Sequence, residues 1–233
     1  MLTRLALLLA LVLMLAACGG GDDEEGSPTT EAATTEAETT EAETTPAEPE
    51  GEDCETVDAA EPKPDGGRQA PSGEPDPKPY RLLFETNCGP FTVTLDPKVA
   101  PNTSASLVAL ARDGFFDGVG FHRVVPGFVI QGGDPTGTGT GGPGYKTVDV
   151  PPQDARYVQG VVAMAKSGAE PPGTSGSQFF VVTGADAQLP PEYAIVGKVT
   201  EGLDTTLKID ALGTGDGPPS IPVVIEKVTV EAG

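Results

Sequence analysis

The chain has 233 residues and a formal net charge of −21, and 37% of its residues are hydrophobic. Such acidity disfavours nucleic acid as a partner, because phosphate backbones are bound by an excess of lysine and arginine. Most of the negative charge lies before residue 80, and residues 80–233 are long enough for one domain with its own core.

The first eighteen residues, MLTRLALLLALVLMLAAC, have the pattern of a signal peptide: one arginine, an apolar run and small residues before Cys18. The apolar run is short for a permanent transmembrane helix. Its end, Leu15-Ala16-Ala17-Cys18, resembles the lipobox of bacterial lipoproteins. This resemblance implies that Cys18 is lipidated and anchors an extracytoplasmic protein to the cell membrane. The alternative is an ordinary signal peptide that is cleaved near Ala17 and leaves Cys18 free.

Residues 19–79 contain 19 acidic and three basic residues and almost no large apolar side chains. A segment of this composition cannot bury enough apolar surface to offset its loss of conformational entropy. The pentapeptide TTEAE occurs at 34–38 and again at 39–43, which is typical of low-complexity sequence. We therefore predict a disordered acidic tether over 19–79, followed by a folded domain over 80–233.

With Cys18 lipidated, Cys54 and Cys88 form an even pair in an exported protein, and we predict a disulfide between them. Two free thiols are the alternative. A zinc centre of Cys and His ligands is not available, because His122 is the only histidine in the sequence. No carboxylate-only metal motif is present either, so we expect neither a metal nor a cofactor.

The domain begins with strand-like segments at 80–86 and 91–95, which the turn residues between them join into a hairpin. A first helix is predicted over 102–113, with capping groups in Pro101-Asn102-Thr103-Ser104 at its start and Gly114 at its end. Further strands are predicted at 119–125, 128–132, 160–165, 178–183 and 194–199, a second helix at 202–212, and a final strand at the C-terminus. Many short strands with two helices favour a closed antiparallel barrel or a sandwich.

Two apparent motifs in the domain do not carry a function. The loop DPTGTGTGGPGYK (134–146) matches G-x-G-x-x-G, but Pro143 and Gly144 follow where a helix should begin, and Tyr145 stands where a phosphate loop needs lysine. We interpret it as a mobile surface loop. His122 would have to serve as the base for any serine or cysteine nucleophile. Because neighbouring residues of a strand point to opposite faces, His122 points away from the face of Arg123, and we interpret it as structural.

Arg123 is an unusual residue in an apolar stretch of strand and turn. The segment Val125-Pro126-Gly127-Phe128 fits a type II turn, which pairs residue 123 with residue 130. Strict alternation then puts Gln131 on the face opposite to Arg123, and a bulge or a bend would be needed to bring the two together.

The stretches FHRVVPGFVIQGGDPTGTGTGG (121–142), GVVAMA (160–165) and SGSQFF (175–180) resemble the signature segments of cyclophilin-type peptidyl-prolyl isomerases. The resemblance extends through about residues 80–231. It implies a mainly β fold, a closed eight-stranded antiparallel barrel capped by two helices. It also implies an enzyme that accelerates rotation about X–Pro bonds in exported proteins, without a cofactor, and that acts as a monomer.

The resemblance also assigns roles to individual residues. Arg123 would donate a hydrogen bond to the prolyl nitrogen of the twisted amide, and Gln131 would bind the substrate carbonyl. The proline pocket would be formed by Phe128, Val129, Phe180, Leu189 and Tyr193. The strand whose backbone pairs with the peptide would contain Met164, Ala165 and Lys166. The alternative is that Phe128, Phe180 and Leu189 are ordinary barrel core.

Four positions depart from the family pattern. Lys166 replaces an asparagine, Val129 a methionine and Tyr193 a histidine. Gln188 stands where many members have a tryptophan that contacts cyclosporin, so we expect weak cyclosporin binding. Two other functions stay open: a surface-anchored module that binds proline-containing segments with little turnover, and a solute-binding lipoprotein, although the two α/β lobes usual for the latter do not fit 154 residues of mostly strand.

Overall fold

The structure is a computed structural model that describes residues 54–233. The predicted signal peptide, the lipidation site Cys18 and residues 19–53 of the predicted tether lie outside the described residues. Within residues 54–233, no helix is long and apolar enough to cross a membrane.

Over residues 54–233 the fold is mainly β with two helices, as predicted. Helix α1 spans Pro101–Arg112 and helix α2 spans Leu203–Ala211. The strands are β1 (Tyr80–Thr86), β2 (Phe91–Leu95), β3 (Val119–Gly120), β4 (Arg123–Val125), β5 (Val129–Gly132), β6 (Thr147–Val148), β7 (Val161–Met164), β8 (Thr174–Ser175), β9 (Phe179–Val182), β10 (Ile195–Glu201) and β11 (Val224–Ala232). The predicted strand 119–125 is split into β3 and β4, and the short strands β6 and β8 were not predicted.

Nine of the strands form one antiparallel sheet in the order β3-β11-β1-β2-β10-β7-β9-β5-β4, and β6 pairs with β8 separately. The chain passes from one edge strand, β3, to the other, β4, through only two residues, 121 and 122. The two edges therefore lie close together, and the sheet is strongly curled. The predicted closed barrel of eight strands is wrong in strand number and in closure, because β3 and β4 do not pair with each other to complete the ring.

Side chains alternate between the two faces of this curled sheet. Ile130, Met164 and Phe179 point into the main core, while Val129 and Phe180 belong to a second cluster on the outer face. This alternation follows from the two-residue period of a β-strand. The main core also buries one side of helix α1 and a group of aromatic rings.

The N-terminus of α1 is capped by a distant residue. The helix begins at Pro101, whose fixed φ suits the first helical position. Asn102, Thr103 and Ser104 were expected to supply the capping groups. Instead, the carboxylate of Asp149 accepts hydrogen bonds from the N–H and the hydroxyl of Thr103, both at 2.6 Å. A loop 46 residues away in sequence therefore fixes the start of this helix.

The segment 54–79, which we call the strap, has neither helix nor strand. We expected it to be disordered, but it lies along the domain and is joined to it by the predicted disulfide between Cys54 and Cys88. The N–H of Glu55 also donates to the carbonyl of Asn87 at 2.8 Å. The amino-acid composition of the segment could not predict these contacts, because they are made by backbone groups and one disulfide and require few apolar side chains.

Candidate active site

The turn between β4 and β5 decides which side chains share a face. Phe128 N donates to Val125 O at 3.0 Å, and Gly127 has a φ of +68°, so the predicted turn is present. The strand pairing begins one residue later than predicted, however, with Arg123 opposite Gln131. The predicted pairing of residue 123 with residue 130 is therefore wrong. Because the loop holds three residues, 126–128, Arg123 and Gln131 are cross-strand neighbours without any bulge.

Arg123 is held in place by two neighbours. Its Nε and Nη2 donate to the two carboxylate oxygens of Asp216, at 2.6 Å and 3.0 Å. Its Nη1 donates to Oε1 of Gln131 at 3.3 Å. The hydrogen bond from Arg123 lowers the pKa of Asp216, which keeps that carboxylate ionised. The guanidinium is thus oriented by a bidentate ion pair that still leaves it partly exposed.

A cavity of about 290 Å³ lies beside the guanidinium. Its lining combines two cations and one amide with apolar and aromatic side chains: Arg123, Phe128, Val129, Gln131, Ala165, Lys166, Phe180, Leu189 and Tyr193. The rings of Phe180 and Tyr193 meet edge to face, with centroids 5.7 Å apart. An apolar recess with a few placed polar groups is the usual form of a small binding pocket.

The predicted site residues thus lie together, with one exception. Met164 is fully buried in the main core, so its side chain faces away from the cavity. Ala165 and Lys166 follow it at the end of β7 and line the cavity. The side chain of Lys166 is only 3% exposed, and its Nζ lies 2.9 Å from Glu192 and 5.4 Å from the centre of the Tyr193 ring.

A second cavity, of about 340 Å³, shares Gln131, Ala165 and Lys166 with the first. Its opposite wall includes residues 139–141 of the glycine-rich loop, residues 135–144. Burial alone would raise the pKa of Asp134, but hydrogen bonds from the N–H groups of Thr136, Gly141 and Gly139 outweigh it and lower that pKa. An ionised, buried carboxylate therefore organises the loop that we interpreted as mobile.

His122 lies apart from the first cavity. It lines a cavity of about 220 Å³ together with strap residues 59–62, and neither ring nitrogen has a hydrogen-bond partner within the described part of the chain. Removal from water lowers the pKa of His122, although the charge of Asp134 opposes this shift. A histidine that is neutral at physiological pH agrees with the structural interpretation.

Sequence reasoning missed two polar residues of the site. Asp216 lies 93 residues from its partner Arg123, in the loop before β11, and no local pattern marks it. Gln178 is next to the first phenylalanine of SGSQFF, and its Oε1 accepts a hydrogen bond from Nε2 of Gln131 at 3.0 Å. A lone glutamine before an apolar strand was the only available signal for it.

Comparison with known proteins agrees with this arrangement. Residues 81–230 match the family model described as cyclophilin type peptidyl-prolyl cis-trans isomerase. The chain is 46% identical over 126 residues to peptidyl-prolyl cis-trans isomerase B of Bacillus subtilis, which covers 54% of this chain and 85% of that protein. It is 38% identical over 167 residues to peptidyl-prolyl cis-trans isomerase A of Mycobacterium tuberculosis, or 63% of this chain and 90% of that protein.

The fold also matches a crystal structure of a Cryptosporidium parvum cyclophilin type isomerase, determined in the presence of the dipeptide Ala-Pro. The TM-score is 0.60 at 30% sequence identity, and the match covers 66% of this chain and 99% of that one. The chain belongs to the cyclophilin-type peptidyl-prolyl cis-trans isomerase family. The predicted enzyme class is confirmed.

Proposed function

We propose that this isomerase accelerates X–Pro rotation by stabilising the twisted amide with Arg123, while the first cavity holds the proline ring. Rotation of a peptide bond meets a barrier of about 18–20 kcal/mol, because amide resonance is lost on the way. The twisted prolyl nitrogen regains its lone pair and can accept a hydrogen bond. Arginine suits this task because it is permanently charged and donates without transferring a proton.

The main support for this proposal is the position of the Arg123 guanidinium. Arg123 lines the apolar cavity, and three of its N–H groups are used by Asp216 and Gln131. A guanidinium has five N–H groups, so about two are left for a substrate. The ion pair with Asp216 therefore orients the side chain without consuming all its donors.

Magnitudes show why the cavity is needed as well as the arginine. One charge-assisted hydrogen bond contributes about 1.5–3 kcal/mol. An acceleration of about 10⁵ needs close to 7 kcal/mol. The rest must come from tighter binding of the twisted proline than of the planar one. Phe128, Val129, Phe180, Leu189 and Tyr193 are the residues that we assign to this binding.

Gln131 and the end of β7 would bind the peptide backbone. We assign Gln131 to the substrate carbonyl, because its amide lies beside Arg123 at the rim of the cavity. The N–H groups of Met164 and Ala165 donate within the domain, to the carbonyls of Ala194 and Gln178. We therefore assign the pairing with a peptide to the backbone of Lys166. Capture of a proline-containing peptide is also supported by the Cryptosporidium parvum relative crystallised in the presence of Ala-Pro.

The test is refolding of a protein whose slow phase is limited by proline isomerisation. We expect Arg123→Ala to lower kcat/KM by about 10²- to 10³-fold, as for other preorganised donors. Arg81→Ala is the matched control, since Arg81 has a similar exposure and also forms an ion pair, with Glu201, outside the cavity. Wild-type protein that binds proline peptides without accelerating refolding would favour the binding module. If the Arg123→Ala variant still accelerates refolding as wild type does, the proposed role of Arg123 is contradicted.

We further propose that the enzyme is a lipoprotein, anchored through Cys18 on the outer side of the cell membrane and acting on exported proteins. Two features support this: the signal and lipobox pattern at 1–18, and the Cys54–Cys88 disulfide, because disulfides persist in oxidising compartments. Residues 19–53 would then be a tether. Mass spectrometry of the mature N-terminus tests the anchor, with Cys18→Ser as control. An unmodified Cys18, or membrane association unchanged by Cys18→Ser, would contradict it.

A further inference from the structure

The strap (residues 54–79) lies outside the region matched by the family model, yet it contacts the glycine-rich loop, of which residues 139–141 line the second cavity. Three backbone hydrogen bonds join it to the glycine-rich loop: Lys63 N to Pro135 O at 2.7 Å, Gly66 N to Gly142 O at 2.9 Å, and Arg68 N to Pro143 O at 3.0 Å. A loop without helix or strand needs partners of this kind to hold one conformation.

Two consecutive strap residues form hydrogen bonds with the backbone N–H and the backbone carbonyl of Gly142. Its N–H donates to Oδ1 of Asp65 at 2.9 Å, and its carbonyl accepts from the N–H of Gly66. Next to it, Gly144 and Gly66 pack backbone against backbone, and a Cβ on Gly144 would lie 3.0 Å from Cα of Gly66. The outer edge of the glycine-rich loop is therefore fixed by the strap, while Asp134 fixes its inside.

The inner edge of the same loop is connected to the guanidinium. Gly141 O accepts a hydrogen bond from Nε2 of Gln178 at 2.9 Å. Gln178 accepts from Gln131 at 3.0 Å, and Gln131 accepts from Arg123 at 3.3 Å. Three hydrogen bonds therefore lead from the loop to the donor that the reaction uses. A displacement of Gly142 also displaces the adjacent Gly141 carbonyl, and with it this connection.

The strap depends on its anchors, because most of its side chains are exposed and it buries little apolar surface. Its start is held by the Cys54–Cys88 disulfide and by paired hydrogen bonds between Glu55 and Asn87. Its middle is held by Lys63, whose Nζ donates to the carbonyl of Phe115 at 3.2 Å. A covalent link at one end lowers the entropy that the strap loses on docking.

We propose that the strap is a positioning element of the active site. Asp65 and Gly66, supported by the Cys54–Cys88 disulfide, hold the glycine-rich loop so that Gln178 and Gln131 keep Arg123 in its productive orientation. This inference rests on the proposed role of Arg123. Asp65 is a positioning residue, since it acts on the reaction only through the loop.

The experiment compares purified full-length variants in a proline-peptide assay. Asp65→Ala removes the acceptor for Gly142, Asp65→Asn keeps an acceptor oxygen, and Asp58→Ala removes an equal charge from an exposed strap position away from the loop. We expect Asp65→Ala to lower kcat/KM about two- to threefold, at the lower end of coupling through packed networks. Asp65→Asn should recover most of the loss, and Asp58→Ala should match wild type.

Cys54→Ser, or reduction of the wild-type disulfide, should lower kcat/KM in the same direction. Two further measurements separate positioning from stability. The NMR signal of the Arg123 Nε–H should shift in Asp65→Ala and not in Asp58→Ala, and the thermal unfolding midpoint should stay the same in both.

An unchanged kcat/KM in both Asp65→Ala and Cys54→Ser would overturn the proposal. So would an equal loss in Asp58→Ala, which would point to charge, or a loss that merely follows a lower unfolding midpoint. Failure of the proposed function looks different, because then Arg123→Ala would be as active as wild type.

Discussion

The two faces of the curled sheet use neighbouring residues of the same strands for different purposes. On the inner face, Phe179 is packed among the rings of Phe84, Phe116 and Phe121, with centroid distances of 5.4 to 6.1 Å. On the outer face, Phe180 contacts Tyr193 and borders the open cavity beside Arg123. Both side chains are at least 96% buried, so burial alone does not distinguish core from site.

The difference lies in what completes each cluster. The inner cluster is enclosed by the protein on every side, so its packing contributes only to the stability of the folded state. The outer cluster is left open next to a cation, and we propose that a proline ring completes it. One period-two pattern therefore yields a core and a proposed binding surface, and substitutions at adjacent positions should separate stability from activity.

The largest expected effect is on stability, from Phe179→Ala. It should lower the free energy of unfolding by about 3–5 kcal/mol, because an enclosed cavity cannot collapse around the lost ring. Molecules that stay folded should keep a kcat/KM close to wild type. Chemical denaturation followed by assays without denaturant measures both quantities. A large loss of activity in the folded fraction would break the distinction between the faces.

Phe180→Ala should show the opposite balance. We expect kcat/KM to fall about 10- to 100-fold, since a buried side chain of this kind contributes about 1.5–3 kcal/mol through its contacts. Its loss of stability should be smaller than that of Phe179→Ala, because solvent can enter the open side of the cavity. Equal activities for the two variants would show that the outer cluster is ordinary core.

Asp216→Ala sharpens the comparison at the rim of the outer face. Removing this exposed carboxylate frees the guanidinium of Arg123 to adopt other orientations. We expect kcat/KM to fall only about two- to fivefold, since exposed ion pairs contribute little in water. Added salt should reduce the difference between wild type and variant. A loss as large as that of Arg123→Ala would mean that the carboxylate itself takes part in the reaction.

The smallest effect concerns pH and His122. Because burial lowers the pKa of His122, the unfolded chain binds a proton at pH values where the folded protein does not. This contribution to stability is complete above the ordinary histidine pKa of about 6.5 and is lost as pH falls through the lower folded value. Between pH 7.5 and 5.5, the free energy of unfolding should decrease less in His122→Gln than in wild type. Parallel pH profiles for the two proteins would contradict this.

The sequence predicted the hairpin, both helices and most of the strands, because apolar periodicity and turn residues are local properties. It also identified the family, from motif regions at 121–142 and 160–180. The pairing of β4 with β5 was predicted one residue out of register. The same Pro-Gly turn fits a two-residue loop, in which residue 125 pairs with residue 128, and a three-residue loop, in which it pairs with residue 129. Only the pairing in the sheet distinguishes the two.

What the sequence determined by itself is therefore the set of elements, the cation in an apolar stretch and the cysteine pair. The tertiary structure alone decided that Gln131 faces Arg123, that Asp216 orients Arg123, that Met164 faces inward, and that residues 63–68 of the strap lie against the glycine-rich loop. The physical reason is that the faces of Gln131 and Met164 depend on the register of strand pairing, whereas Asp216 and the strap meet partners far along the chain, the strap largely through backbone groups. Such groups are the same in every residue and leave no trace in composition.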